Sequence, residues 1–129
     1  MQDFPAVDRS EVILELEALG VGNHVNGLLA DEAREVGVAL GEFGAFVGWL
    51  DVEWPGPATP VWTLRSVVHL SALQSDLLRQ EIAGARQKRE MALRSCDICR
   101  SRLTTGRLHR YGAGYVCHGC AEVKLGMVH

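Results

Sequence analysis

Residues 36–50 read VGVALGEFGAFVGWL, fifteen residues in which Glu42 is the only charge. Extended back to Leu29, the positions Leu29, Ala33, Val36, Leu40, Phe43, Val47 and Leu50 step by four and three, the spacing of a bundle or coiled-coil seam. Beside them Gly37, Gly41, Gly44 and Gly48 fall within about 60° of one another on a helical wheel at about 100° per residue. Each glycine costs a helix about 1 kcal/mol relative to alanine. A helix that keeps four of them predicts a face where another backbone comes close, in the same fold or through self-association. The other reading is that the segment is not one continuous helix. On either reading it is shorter than the ~20 apolar residues of a membrane span, so no membrane role is expected.

Outward from this stretch the chain reads as helices. Asp8 with Glu11 resembles a capping box, and Val12, Ile13, Leu16 and Leu19 form an apolar stripe that stops at Gly20-Val21-Gly22. A second helix is expected from about Asn23 to about Leu50. The segment Asp51-Val52-Glu53-Trp54-Pro55-Gly56-Pro57-Ala58-Thr59-Pro60 then interrupts it, because closely spaced prolines forbid helix. Thr59 and Pro60 suit the cap and first turn of a third helix. Its apolar positions Val67, Leu70, Leu73, Leu77, Leu78, Ile82 and Ala85 carry it to about Arg94. The expected fold is mainly α: an antiparallel helical hairpin or small bundle over 1–94 with its tip near 51–59, followed by a metal module over 95–129.

That module is defined by Cys96, Cys99, Cys117 and Cys120, the only cysteines in the chain, with spacing C-x2-C-x17-C-x2-C. Two CxxC knuckles can present four thiolates to one tetrahedral Zn²⁺. With all four positions taken by protein, the metal is expected to fold the chain rather than catalyse. A rubredoxin-like iron site uses the same ligands. A redox pair would need one CxxC at a helix start in a βαβ setting, and disulfides would need an oxidising compartment. The N-terminus MQDFPAVDRSEVILEL is acidic and lacks the basic and apolar regions of a secretory signal, so a cytoplasmic location and one structural zinc per chain are expected. His109 and His118 are expected at the surface rather than on the metal.

Within the module, strand-like runs at 102–105, 108–111 and 115–116 lie between the knuckles, and a short helix is expected from Ala121. The second cysteine pair would then ligate at a helix N-terminus, the treble-clef arrangement.

Charge divides by halves: residues 1–60 carry −9 and residues 61–129 carry +6. Nine of the eleven bases in the second half lie between Arg79 and Arg110. Three readings are open: a solvated face, a basic surface for nucleic acid or an acidic protein, and mutual neutralisation of the halves in the fold or an oligomer. No Ser/His/Asp set, phosphate-cradling glycine loop or HExxH is present, and pairs such as Glu32 and Glu35 read as an exposed face, so an enzyme is not expected.

Cys96–Cys120 resembles the zinc finger of the DksA/TraR regulators, which share the cysteine spacing and carry an arginine mid-loop where this chain has Arg107-Leu108. The layout of a helical hairpin running into the finger, and the tip Trp54-Pro55-Gly56-Pro57, are similar as well. In that family acids at the tip act in the RNA polymerase secondary channel, and the acids near the tip here are Asp51 and Glu53, with Gly56 and Thr59 at the matching places. The treble clef of the ATPase ClpX, used for dimerisation and adaptor recognition, is also similar. The resemblance implies a non-enzymatic transcription regulator that contacts RNA polymerase. The alternatives are an assembly or adaptor protein, and a nucleic-acid-binding protein using the basic 79–110 segment. Candidate partner-binding residues are Asp51, Glu53, Trp54, Arg86, Lys88, Arg89, Arg107 and Arg110.

Overall fold

The computed structural model describes residues 9–42, 44–56, 59–71 and 74–125. Its architecture is mostly β, which overturns the mainly α hairpin expected for residues 23–94. After α1 (Arg9–Ala18) comes a five-stranded antiparallel meander: β1 (Asn23–Val25), β2 (Leu28–Ala30), β3 (Val36–Gly41), β4 (Gly44–Gly56) and β5 (Thr59–Leu70), each paired with the next. Then follow α2 (Ser75–Ala92), β6 (Arg94–Ser95), β7 (Arg102–Leu103), a 3-10 turn (Thr105–Arg107), β8 (Leu108–Tyr111), β9 (Gly114–Cys117) and α3 (His118–Leu125). The expected cap at Asp8 and the seam positions Phe43 and Leu73 lie outside the described residues.

The segment 36–50 is a β-hairpin in which Gly37 pairs with Gly48 and Gly41 with Gly44. A spacing of four is an even number, so residues that share a helix face also share a strand face. The helical stripe is therefore a strand stripe as well. Val36, Val38, Ala45 and Val47 lie on the opposite face and are buried. Two local terms favour the strand: four glycines weaken a helix, and valine, phenylalanine and tryptophan suit a pleated, half-buried surface. Gly44 adds a φ of +141°, which side chains rarely adopt.

Residues of the same chain fill the glycine face. Leu50 and Leu64 come within 3.1–3.2 Å of where a Cβ of Gly37 would lie, and the Phe46 ring within 3.2 Å of that of Gly41. The carbonyl of Arg65 stands 2.5 Å from the same point at Gly48. That close approach accompanies a break in register between Val47 and Trp49, where Ser66 takes a φ of +50°. The Trp49 indole then donates to the Ser66 hydroxyl at 3.2 Å.

The expected third helix survives only from Ser75 to Ala92, where Leu78, Ile82 and Ala85 are buried at steps of four and three. Its expected first half, 59–70, is β5, whose β-branched and aromatic residues pair along β4. Residues 51–56 and Thr59 do sit toward the end of a hairpin, but it is a β-hairpin, with Glu53 opposite Val61 and Gly56 opposite Thr59. The first helix lies where its stripe places it, ending before Gly20 at φ +80°.

Both helices cover one face of the sheet. Val12 and Leu16 from α1, with Leu78, Ile82 and Ala85 from α2, pack on Leu29, Val36, Val38, Ala45, Val47 and Leu70. Burying a side chain such as Leu78 fully contributes roughly 1.5–3 kcal/mol. A second cluster joins Val25 and Ala30 to Leu50, Trp62 and Leu64. It brings the β1–β2 turn against β5, where the Trp62 backbone N–H donates to Asn26 Oδ1 at 3.0 Å.

Part of the charge asymmetry is resolved inside the fold. Asp31 Oδ1 accepts the backbone N–H groups of Glu35 and Val36 at 2.7 and 3.2 Å, closing the β2–β3 turn. Arg86 on α2 then bridges Asp31 and Glu35 at 2.9 and 3.1 Å, and Arg89 reaches Glu35 at 3.2 Å. These pairs tie the basic helix to the acidic turn.

Candidate metal centre

The finger is built from very short elements. β6 and β7 pair antiparallel and carry the first knuckle in their connection, while β8 and β9 form a hairpin that delivers Cys117 to the start of α3. Cys120 follows in the first turn of α3, so the second pair sits at a helix N-terminus. Each knuckle repeats one hydrogen bond: Cys99 N–H to Cys96 Sγ and Cys120 N–H to Cys117 Sγ, both 3.4 Å. The first knuckle is closed further by Cys96 N–H to Ser101 O at 2.8 Å and Arg100 N–H to Cys96 O at 2.9 Å. Its Asp97 N–H donates to Tyr115 O at 2.8 Å, joining it to β9. Leu108, Val116 and Ala121 supply the small core beside the buried Cys96.

The four Sγ atoms all lie within 4.8 Å of one another. A tetrahedral thiolate site with metal–sulfur bonds of about 2.3 Å has sulfur–sulfur edges of roughly 3.8 Å. Cys99 Sγ and Cys117 Sγ stand 3.8 Å apart. Among the described residues this cysteine set is the one group of metal-ligating side chains, and neither histidine joins it. The electrostatics of the thiols point the same way. Burial raises the Cys96 thiol, yet the backbone N–H groups of Cys99, Cys117 and Ile98 outweigh it and bring the pKa down to about 6. Cys99 is lowered, first by the Ser101 hydroxyl and then by its backbone. Cys120 is pushed up to about 12, chiefly by hydrogen bonding with the Cys117 thiol and next by burial. Four sulfurs this close cannot all ionise without a cation to offset them. The donor set, its spacing and its N–H cradle fit a structural metal ion.

The finger is fastened to the sheet by its 3-10 turn. Asp51, in β4, is fully buried. Both its oxygens accept the Gly106 N–H at 3.1 Å, Oδ1 accepts its neighbour Val52 N–H at 2.8 Å, and Thr105 Oγ1 lies 3.5 Å from Oδ2. The Trp54 indole N–H returns a bond to Gly106 O at 2.9 Å. A Cβ on Gly106 would collide with Val52 O and with the Asp51 carboxylate, so only glycine permits this approach. Next to it the Arg107 guanidinium lies 5.2 Å from the Trp62 ring centroid, with Arg34 at 5.5 Å from the same ring. His118 meets Trp54 edge-on at 5.1 Å and His109 at 4.4 Å.

The residues expected to meet a partner are therefore dispersed. Asp51 is enclosed, Glu53 pairs with Arg65 at 3.1 Å, and Trp54 holds the finger turn. Arg86 and Arg89 are spent on the β2–β3 turn, and Arg107 lies over Trp62. Lys88 and Arg110 remain exposed. The residues that sequence reading misses are Gly106, Arg65, Trp62 and Asp31, all of which act through partners distant in the chain.

No family model, curated protein or solved structure matches the chain. The likeness to the DksA/TraR finger expected from Cys96–Cys120 finds no support in these comparisons. The helical hairpin that it implied is a β-hairpin, and Asp51 lies beneath the finger turn instead of at a projecting tip.

Proposed function

We propose that the chain is a non-enzymatic regulatory factor whose four-cysteine site binds one structural Zn²⁺ and whose finger docks a partner macromolecule. One observation carries the reading. One end of the finger is locked on β4 through Gly106 and Asp51, while the first knuckle, bonded to β9 through Asp97 N–H and Tyr115 O, and the β8–β9 turn carry exposed side chains. Four protein thiolates leave a tetrahedral ion no open position, so the metal would supply rigidity and not chemistry. Zinc is preferred over iron for a closed structural site of four cysteines. A reducing, cytoplasmic compartment would keep the thiols free for it. No helix of the described residues is long and apolar enough to cross a membrane.

The setting suggested by the finger's likeness to DksA/TraR is transcription, with contact to RNA polymerase made by the finger surface. Insertion of tip acids into a channel is not part of this proposal, because Asp51 is buried and Glu53 is paired. The test is metal analysis of purified protein, followed by co-elution of the zinc-loaded chain with bacterial RNA polymerase. One zinc per chain and a complex that Cys117→Ser abolishes are the expected results. Absence of a complex at low salt overturns the transcription setting, and a metal content near zero overturns the zinc assignment.

A further inference from the structure

Two cations that the fold leaves without a counter-charge meet on one ring. Arg34 lies exposed in the β2–β3 turn at a φ of +56°, and Arg107 ends the 3-10 turn of the finger. Their guanidinium carbons lie 5.5 and 5.2 Å from the centroid of the half-buried Trp62 ring in β5. The backbone of each residue is held separately. The Arg34 N–H donates to Asp31 O at 3.1 Å, the Arg107 N–H to Thr104 O at 3.0 Å, and the Trp62 N–H to Asn26 Oδ1 at 3.0 Å. Arg65, Arg86, Arg89 and Arg102 each meet a carboxylate. Among the described residues no carboxylate lies within 4.0 Å of the Arg34 or Arg107 guanidinium, and neither side chain donates a hydrogen bond. The acids that could have served are taken: Asp31 and Glu35 by Arg86 and Arg89, and Asp51 by the Gly106 N–H.

We infer that Arg34 and Arg107 form a site for a phosphate dianion, bound across the seam between the sheet and the finger. An aromatic ring attracts a guanidinium through its face and leaves the N–H donors unused, so Trp62 holds both forks ready for an anion. Together the forks carry +2, which a phosphate monoester, at about −1.5 to −2 near neutral pH, matches. A single carboxylate would leave one charge unanswered. The spacing suits a phosphate as well. Two guanidiniums sharing one phosphate through hydrogen bonds of about 2.8 Å hold their central carbons roughly 8 Å apart. Groups that both lie within 5.5 Å of one centroid have that separation within their reach. The two guanidiniums already occupy Trp62, so the recognised element is the phosphoryl group and not a nucleobase. Free phosphate and the phosphoryl group of a small ester share this chemistry. Arg107 follows Gly106, whose N–H is fixed on Asp51, so an ion shared with Arg34 ties the finger turn to the β2–β3 turn. Ligand binding and finger docking then favour one another reciprocally. The inference rests on the docked turn and not on the identity of the finger's partner.

The test titrates the full zinc-loaded chain by isothermal calorimetry with inorganic phosphate or with O-phosphoserine, at constant ionic strength set with chloride and with serine as the unphosphorylated control. Saturable binding of a phosphate probe at one site per chain is expected. Arg34→Gln and Arg107→Gln should each weaken it about tenfold or more, and Arg34→Lys, which keeps the charge and loses the fork, should weaken it severalfold. Asp51→Ala, which frees the turn, should weaken it too, a coupling that scattered surface charge would not show. Tighter binding of O-phosphoserine assigns the site to a phosphate ester, and tighter binding of inorganic phosphate assigns it to the free ion. A cobalt-loaded sample of each variant reports through its thiolate charge-transfer band that the finger is intact. No saturable binding of either probe at tens of millimolar overturns the inference, as does binding that Arg34→Gln leaves unchanged or that serine reproduces. Binding indifferent to Asp51→Ala refutes the placement across the seam. Failure to co-elute with RNA polymerase while phosphate binding persists counts against the transcription setting alone.

Discussion

Removing the Asp51 carboxylate should loosen zinc from a site that Asp51 does not touch. In Asp51→Ala the Gly106 N–H loses its acceptor, and the 3-10 turn has no reason to stay on β4. A hydrogen bond to a charged group is worth about 1.5–3 kcal/mol net. The Trp54–Gly106 bond adds about 0.5–1.5 kcal/mol, taken at the low end because Trp54 is 38% exposed. The Arg65 contact, at 3.8 Å with 39% of its side chain exposed, is discounted to near zero. Docking is thus worth roughly 2–4 kcal/mol.

On the proposed reading, in which the finger folds around its metal, docking stabilises only the loaded form. Its loss should lower zinc affinity about 30- to 700-fold, at about 1.4 kcal/mol per factor of ten. The melting temperature of the loaded protein should fall by roughly 8–16 °C. Competition with a chromophoric chelator measures the first quantity and tryptophan fluorescence the second, since Trp54 and Trp62 both meet the finger. Gly106→Ala should reproduce the effect by steric exclusion, and the double variant should be no worse than either single one, because both remove the same contact. Zinc affinity within about threefold of the parent in Asp51→Ala, or additive effects in the double variant, would refute the reasoning.

Acid should release the metal. At neutral pH Cys96, lowered to about 6, is ionised while Cys120, raised to about 12, is protonated. Binding must therefore expel protons, so affinity rises with pH and falls as pH drops. Chelator competition from about pH 8 to about pH 5 should show steadily weaker retention, and a flat profile contradicts a thiolate site. Two glycine substitutions separate strand from helix in stability measurements. Gly48→Ala places a methyl group 2.5 Å from the Arg65 carbonyl and should cost roughly 1–3 kcal/mol, whereas in a helix it would stabilise by about 1 kcal/mol. Gly84→Ala, in α2 with open space around it, should stabilise by about 0.5–1 kcal/mol.

The metal site is legible because its information is local. Two CxxC knuckles and the residues between them specify ligands, connection and helix start within a single short segment, and Cys96, Cys99, Cys117 and Cys120 do converge. The sheet is hidden at Leu29–Leu50 for a definite reason. Steps of three and four describe a helix seam, but Gly37/Gly41 and Gly44/Gly48 are equally in phase on strands. The alternation Val36, Val38 and Ala45, Val47 is present in the same residues. The glycine cost points to the right answer, since a strand that pairs Gly37 with Gly48 needs no external backbone to explain them. The Pro-rich stretch 51–60 reads as a break between helices, although Pro60 near the start of a strand breaks nothing. Asp51 reads as a tip acid because a buried carboxylate and an exposed one look alike in sequence. Its partner Gly106 is 55 residues away, beyond any local pattern.

The docking contact also explains why the two halves of the chain belong together. α1 and α2 cover the stretch of sheet bearing Val36, Val38, Ala45, Val47 and Leu70, and β4 runs on beyond that stretch. There Asp51 and Val52 are buried, and the backbone of the finger turn is what lies on them. A carboxylate enclosed in this way is costly unless every donor around it is in place. One of those donors, the Gly106 N–H, comes from a module too small to hold its shape by burial alone. A metal bound as proposed would therefore stand behind the sheet as well as behind the finger. On that reading it orders the 3-10 turn, and the turn satisfies Asp51. A buried acid in a β-strand thus holds the finger turn, and a channel-probing role for the same acid would require tearing that contact apart.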